Sequence, residues 1–140
     1  MKIRRHARAL ALQALYEMDC AGHSRDQVLR HLFENDKLSE EGIQFATALV
    51  EGVSSHCAQL DAIISQHAPE YPVDQLAIVD RNILRMALYE LQHQSDVPIK
   101  VAVNEAVELA KTFGSDTAPR FINGVLGAFL QEHPPRTLRQ

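Results

Sequence analysis

Four basic side chains, Lys2, Arg4, Arg5 and Arg8, stand ahead of the first acid in the chain, Glu17. Wound as a helix, this opening segment sets Arg5, Arg8, Leu12 and Tyr16 within one arc of roughly 80°, away from an apolar stripe centred on Ala7, Ala14 and Met18. Guanidinium groups hold phosphates through paired hydrogen bonds, and a tyrosine ring can stack on a base. The pattern suits contact with RNA or DNA. Two other readings stand beside it: Leu12 and Tyr16 packing under another helix, or the face closing a homodimer. Near the other end, Arg120, Gly124 and Gly127 share one side of a helical segment, with Phe121 at the margin of its apolar stripe. Interior glycines cost a helix about 1 kcal/mol each relative to alanine, so something should approach closely there, either a neighbouring helix or a ligand. The backbone N–H groups over Asp116–Arg120 would also suit a phosphate.

Catalytic chemistry finds no footing. The chain has no phosphate-binding glycine loop, no Gly-x-Ser-x-Gly elbow and no dinucleotide fingerprint. Its two cysteines and seven histidines form no Cys-x-x-Cys or His-x-x-x-His pair, so no metal, cofactor or catalytic residue is expected. Cys57 follows His56, but adjacent residues on a helix diverge and cannot work as nucleophile and base. Cys20 and Cys57 read instead as small buried hydrophobes in a reducing compartment. Asp80 falls on the apolar side of its segment. It is either an ion-paired or capping carboxylate at a helix junction, or a group kept for a partner.

The remaining composition frames these residues. With 140 residues, 46% hydrophobic and 23% charged, the chain can bury the core of a single globular domain. No window approaches the roughly 18–20 apolar residues of a membrane span, and the N-terminus has no secretory pattern. A cytoplasmic protein is expected. The net charge is −4, yet all 18 acids lie beyond the first sixteen positions. A basic head on an acidic body implies one localised anion-binding patch.

Apolar residues recur at helical spacing throughout, with no sustained period of two. The first stripe, Ala7 to Met18, ends near Gly22. A short second helix follows Ser24, and Ser39 should cap a third with Glu40 and Glu41 in its first turn. A fourth, carrying Leu60, Ile63, Ile64 and His67, stops at Pro69 and Pro72. Asp74 should cap a fifth, running to about His93, whose apolar residues from Leu76 to Leu91 cover more than half the circumference. Such a helix is packed on several sides and should be central. Asp96-Val97-Pro98 opens a sixth, stopped at Gly114. Ser115 or Asp116 should cap a seventh, ending before Pro134. The expected fold is all-α, about seven helices in one domain over residues 1–132, with 133–140 a frayed tail.

Long ordered stretches carry a family resemblance. They are Arg4 through Tyr16, Val79 through Leu91, Val97 through Lys111, Phe113-Gly114 and Arg120 through Leu126. Together they resemble the NusB family, whereas Ser24–Tyr71 agrees only in helical pattern. The resemblance implies two small helical bundles packed at a steep angle. It implies a transcription antitermination factor that binds boxA-type single-stranded RNA with the small-subunit ribosomal protein NusE. Within an RNA polymerase antitermination complex, that assembly promotes read-through in ribosomal RNA operons. Carried onto this chain, Lys2, Arg4, Arg5, Arg8 and Tyr16 fall in the RNA-facing first helix, and Arg120 and Phe121 supply the second part of the surface. Asp80 and Arg85 map to the side facing the ribosomal protein. Two alternatives are a homodimeric interaction module and an accessory domain of an RNA methyltransferase system.

Overall fold

The computed structural model describes residues 2–35 and 37–134. Among them are seven α-helices, one short 3₁₀ turn and no strand, in two compact units that divide between Ser55 and His56. The expected all-α architecture is therefore present. The division falls in the brief turn between the third and fourth helices. The expected frayed tail lies largely outside the described residues, which end at Pro134.

The first unit is built from α1 (Lys2–Ala21), α2 (Arg25–Asn35) and α3 (Glu40–Ser55). Side-chain oxygens start the last two. Ser24 Oγ accepts from the Gln27 N–H at 3.3 Å, and Ser39 Oγ accepts from the Gly42 N–H at 3.1 Å. Gly22, at φ 71°, ends α1 in the left-handed region that glycine tolerates. Both α2 and α3 pack on α1, and the fully buried Ala7 and Ala14 leave little side-chain bulk along its core face. Phe45, Ala46, Leu49 and Val50 of α3 and Val28, Leu29 and Leu32 of α2 complete the core.

The second unit holds α4 (Cys57–His67), a 3₁₀ turn at Val73–Gln75, α5 (Ile78–His93), α6 (Ile99–Phe113) and α7 (Ala118–Glu132). As its broad apolar surface requires, α5 is the centre, packing on α4, α6 and α7. Ile83, Leu84, Leu88 and Leu91 have no exposure at all. Asp74 does not cap α5. It sits in the separate 3₁₀ turn, Leu76 and Ala77 are extended, and Ala77 is the N-cap. Arg81 ties that turn to α5, its Nη1 donating to the Val73 and Asp74 carbonyls at 3.3 Å each. Gly114 does end α6. A Cβ there would lie 2.7 Å from Ala118 Cβ and 2.9 Å from the Ala110 carbonyl, so only glycine lets α7 begin so close. The cap of α7 is Thr117 rather than Ser115 or Asp116. His67 fastens α4 to the end of α7. Its Nδ1 donates to the Ile63 carbonyl at 2.9 Å, and Nε2 lies 3.2 Å from Glu132 Oε2.

Candidate nucleic-acid interface

In the first unit, α1 turns Arg5, His6, Gln13 and Tyr16 to solvent, with Tyr16 41% exposed. Arg4 is half-buried, and the side chain of Lys2 lies outside the described residues. Arg8 and Leu12 depart from expectation. They are 3% and 4% exposed, so neither belongs to an outward face. The helical wheel supposes one neighbour for α1, whereas α2 and α3 both cover it. For Leu12 the competing reading, packing within the fold, is the one observed. Arg8 tolerates burial because its guanidinium lies over the Phe45 ring, 4.9 Å from the centroid. Arg4 shares the ring at 4.7 Å. The exposed remainder is a cation and a ring, Arg5 and Tyr16, on the solvent side of one helix.

In the second unit, α7 presents Arg120 to solvent, with Phe121 half-buried beside it. Gly124 and Gly127 are exposed, and a Cβ at either would meet no atom within 4 Å. Tight packing against a neighbouring helix does not account for them. A residue passed over in the sequence completes this face. Tyr71, 53% exposed, meets Phe121 edge to face, with ring centroids 5.7 Å apart and planes at 82°. Its signal was weak: an aromatic two residues after Pro69 and directly before Pro72, with no helical periodicity to mark it. A cleft of about 240 Å³ opens here, lined by Glu70, Tyr71, Arg120, Phe121 and Gly124 among others. The Thr117 side chain makes no capping hydrogen bond at the start of α7.

Arg85 and Asp80, expected side by side on a partner-facing surface, have opposite fates. Arg85 is 8% exposed and committed within the fold. Its Nε donates to Asp61 Oδ1 at 2.7 Å, Nη2 to Asp61 Oδ2 at 2.9 Å and Nη1 to Asn82 Oδ1 at 3.2 Å. This planar two-point clasp joins α5 to α4 and commits the donors of Arg85 to the fold. Asp80 stands in the first turn of α5, where the helix dipole favours an acid. Its Oδ1 is nonetheless buried with no hydrogen-bond partner among the described residues. Burial raises its carboxyl above the ordinary value.

Cys57 is half-buried, but Cys20 is exposed, contrary to the expectation of two buried thiols. Among the described residues no group of three or more His, Cys, Asp or Glu is placed to hold a metal ion. No helix there is long and apolar enough to cross a membrane.

Fold and faces together define an all-α protein of two helical units whose outer surfaces pair arginine with exposed rings. The chain belongs to the NusB family, whose sequence model matches residues 5–131. It is 50% identical over 125 residues to the transcription antitermination protein NusB of Dehalococcoides mccartyi (strain CBDB1), covering 89% of this chain and 87% of that one. With the NusB protein of Roseiflexus sp. (strain RS-1) it shares 46% identity over 136 residues, 96% of each chain. Among solved structures it is similar to NusB of T. maritima, at TM-score 0.86 and 30% identity over 95% of this chain and 94% of that one. It is also similar to a NusB crystallised with NusE and double-stranded RNA, at TM-score 0.85 and 29% identity over 94% of this chain and 98% of that one.

Proposed function

We propose that this chain is a cytoplasmic, non-catalytic transcription antitermination factor. It binds boxA-type single-stranded RNA together with the ribosomal protein NusE, as part of an RNA polymerase antitermination complex that promotes read-through in ribosomal RNA operons. The curated relatives carry the antitermination name, and one structural relative was crystallised with NusE and RNA. Residues 1–132 would act as one RNA-binding domain.

The observation that carries the reading is the exposed pair on α1: Arg5 for a backbone phosphate and Tyr16 for a base. Lys2 and Arg4 add to the field of this end. Arg8 contributes charge from beneath, through the Phe45 stack, and touches no phosphate. Arg120 and Phe121 would contact RNA from the second unit. Asp80 is the contact kept for NusE, because a basic side chain from that protein would supply the partner its Oδ1 lacks. Arg85 serves that contact only by holding α5 in place. A homodimer through the α1 face is less well supported, since Leu12, its apolar centre, is already buried within the first unit.

A titration tests this directly. A boxA-type single-stranded RNA is bound across a salt series, with and without NusE, by wild type, Arg5→Ala and Tyr16→Ala. Arg5→Ala should flatten the slope of log K against log[salt] by about 0.7, one single-strand phosphate. Tyr16→Ala should cost about 1–3 kcal/mol and leave the slope unchanged. Asp80→Ala should weaken the NusE complex without destabilising the fold near neutral pH. Wild-type slopes in folded Arg5→Ala, with full affinity in Tyr16→Ala, would move the RNA off this face.

A further inference from the structure

We infer that the cleft beside α7 receives one unpaired base of the bound RNA, guanine before the others, with Tyr71 as its stacking platform. The inference rests on the RNA-binding reading above and deepens it. Size comes first. At about 240 Å³ the cleft falls short of the roughly 300–1,000 Å³ that cofactor and small-molecule sites occupy, leaving room for a single planar ring system.

The walls suit a base. Tyr71 keeps 53% exposure, and its edge-to-face contact with Phe121 leaves ring surface open to a ligand. The platform is already in position. The Tyr71 N–H donates to the Ala68 carbonyl at 3.1 Å, and Pro69 and Pro72 restrict the chain on either side. Ordering the main chain beneath this ring therefore costs little on binding. Gly124 has no atom within 4 Å of where a Cβ would sit, so a ring can approach the α7 backbone at that point.

The rim selects the base. Glu70 and Arg120 line the same cleft, are both exposed, and have no hydrogen-bond or ion-pair partner among the described residues, each other included. An acceptor-only carboxylate and a donor-only guanidinium call for a base with donors on one edge and acceptors on another. Guanine offers O6 and N7 to the guanidinium, and its N1–H and N2 amino group to the carboxylate. Uracil brings O2 and O4 acceptors toward Glu70, with a single N–H, and is the poorest match. His67 borders the cleft too, but its Nε2 faces Glu132.

The test uses a boxA-type single-stranded RNA containing guanine, the same RNA with each guanine replaced in turn by uracil or inosine, and the full-length protein with and without NusE. Tyr71→Ala should lose affinity roughly 5- to 150-fold, the range of one base stack, with no change in salt slope. Tyr71→Phe should bind within about twofold of wild type, because the stack survives loss of the hydroxyl. At one guanine, uracil and inosine should both weaken wild-type binding, and Glu70→Gln should reduce that discrimination. Circular dichroism establishes that each variant is folded. If wild type binds no RNA under any condition, the RNA reading and this inference fall together. If wild type binds but Tyr71→Ala binds equally well, the base site is overturned while the RNA reading stands. Loss of NusE affinity in Tyr71→Ala, with RNA affinity intact, would assign the cleft to a protein segment and overturn the inference as well.

Discussion

On α1, two of the arginines are drawn over the ring of Phe45, and Arg8 keeps only 3% exposure. On α7, Arg120 stands in solvent with no partner among the described residues, beside a tyrosine that is half exposed. The same residue type serves as packing in one unit and as a waiting donor in the other. What separates them is what lies against each side chain: the Phe45 ring of α3 covers the α1 arginines, whereas a Cβ at Gly124 or Gly127 of α7 would meet no atom within 4 Å. A basic cluster in a sequence thus counts charge without counting how much of it can be reached.

The largest effect should come from the most fully committed cation. Arg85→Ala removes the clasp on Asp61 and Asn82 and should cost about 3 kcal/mol in denaturant unfolding. That is the low end for a buried pair, because the Asp61 side chain keeps 30% exposure and can be hydrated. A loss below about 1 kcal/mol would mean that Arg85 is as available as Arg120.

Arg8→Ala comes next. Losing the stem and the ring contact should lower stability by about 1–2 kcal/mol, with the salt slope of RNA binding preserved. A slope reduced by about 0.7 in a folded Arg8→Ala protein would show this arginine on a phosphate and collapse the contrast.

At Gly127 the sign itself is diagnostic. With open space around it, Gly127→Ala should raise stability by up to about 1 kcal/mol through helix propensity alone. A lowered melting temperature would mean that this face of α7 is covered.

The smallest effect contrasts Asp80 with Arg85 on the same helix, one charge orphaned and the other satisfied. Burial raises the Asp80 carboxyl, so the protonated form favours the fold; that benefit is full below the unfolded pKa and is lost as pH rises through the folded one. Neutral pH therefore carries a penalty that Asp80→Asn removes. The variant should gain a few degrees at most in melting temperature near pH 7, with the difference vanishing below about pH 4. An equal difference at both pH values would show that the carboxyl titrates normally.

Much of this architecture is legible from local patterns. Ser39 caps its helix as a serine before two glutamates should, and the apolar breadth of α5 places it at the centre of its unit. Helical periodicity gives each residue an angle about its own axis and nothing more. It cannot say that two helices flank α1, and so it turns Arg8 and Leu12 toward solvent although both are buried. Nor could it find Tyr71, whose meaning depends on Phe121, fifty positions away in the chain. Asp74 misled for a local reason: a good capping residue began a 3₁₀ turn, and two extended residues intervened before α5.

The bare outer side of α7 also bears on how the molecule breathes. Gly124 and Gly127 leave two stretches of helical backbone without side-chain cover, while α5 is sealed over most of its length. Local opening is easiest where few buried contacts must be broken and water already reaches the backbone. Amide hydrogens in the middle of α7 should therefore exchange with solvent through small local fluctuations, and those of α5 only when the whole unit unfolds. A molecule settling on that glycine face would close the easiest exchange route in its unit, so its arrival could be followed as slowed deuterium uptake in α7 without labelling either partner.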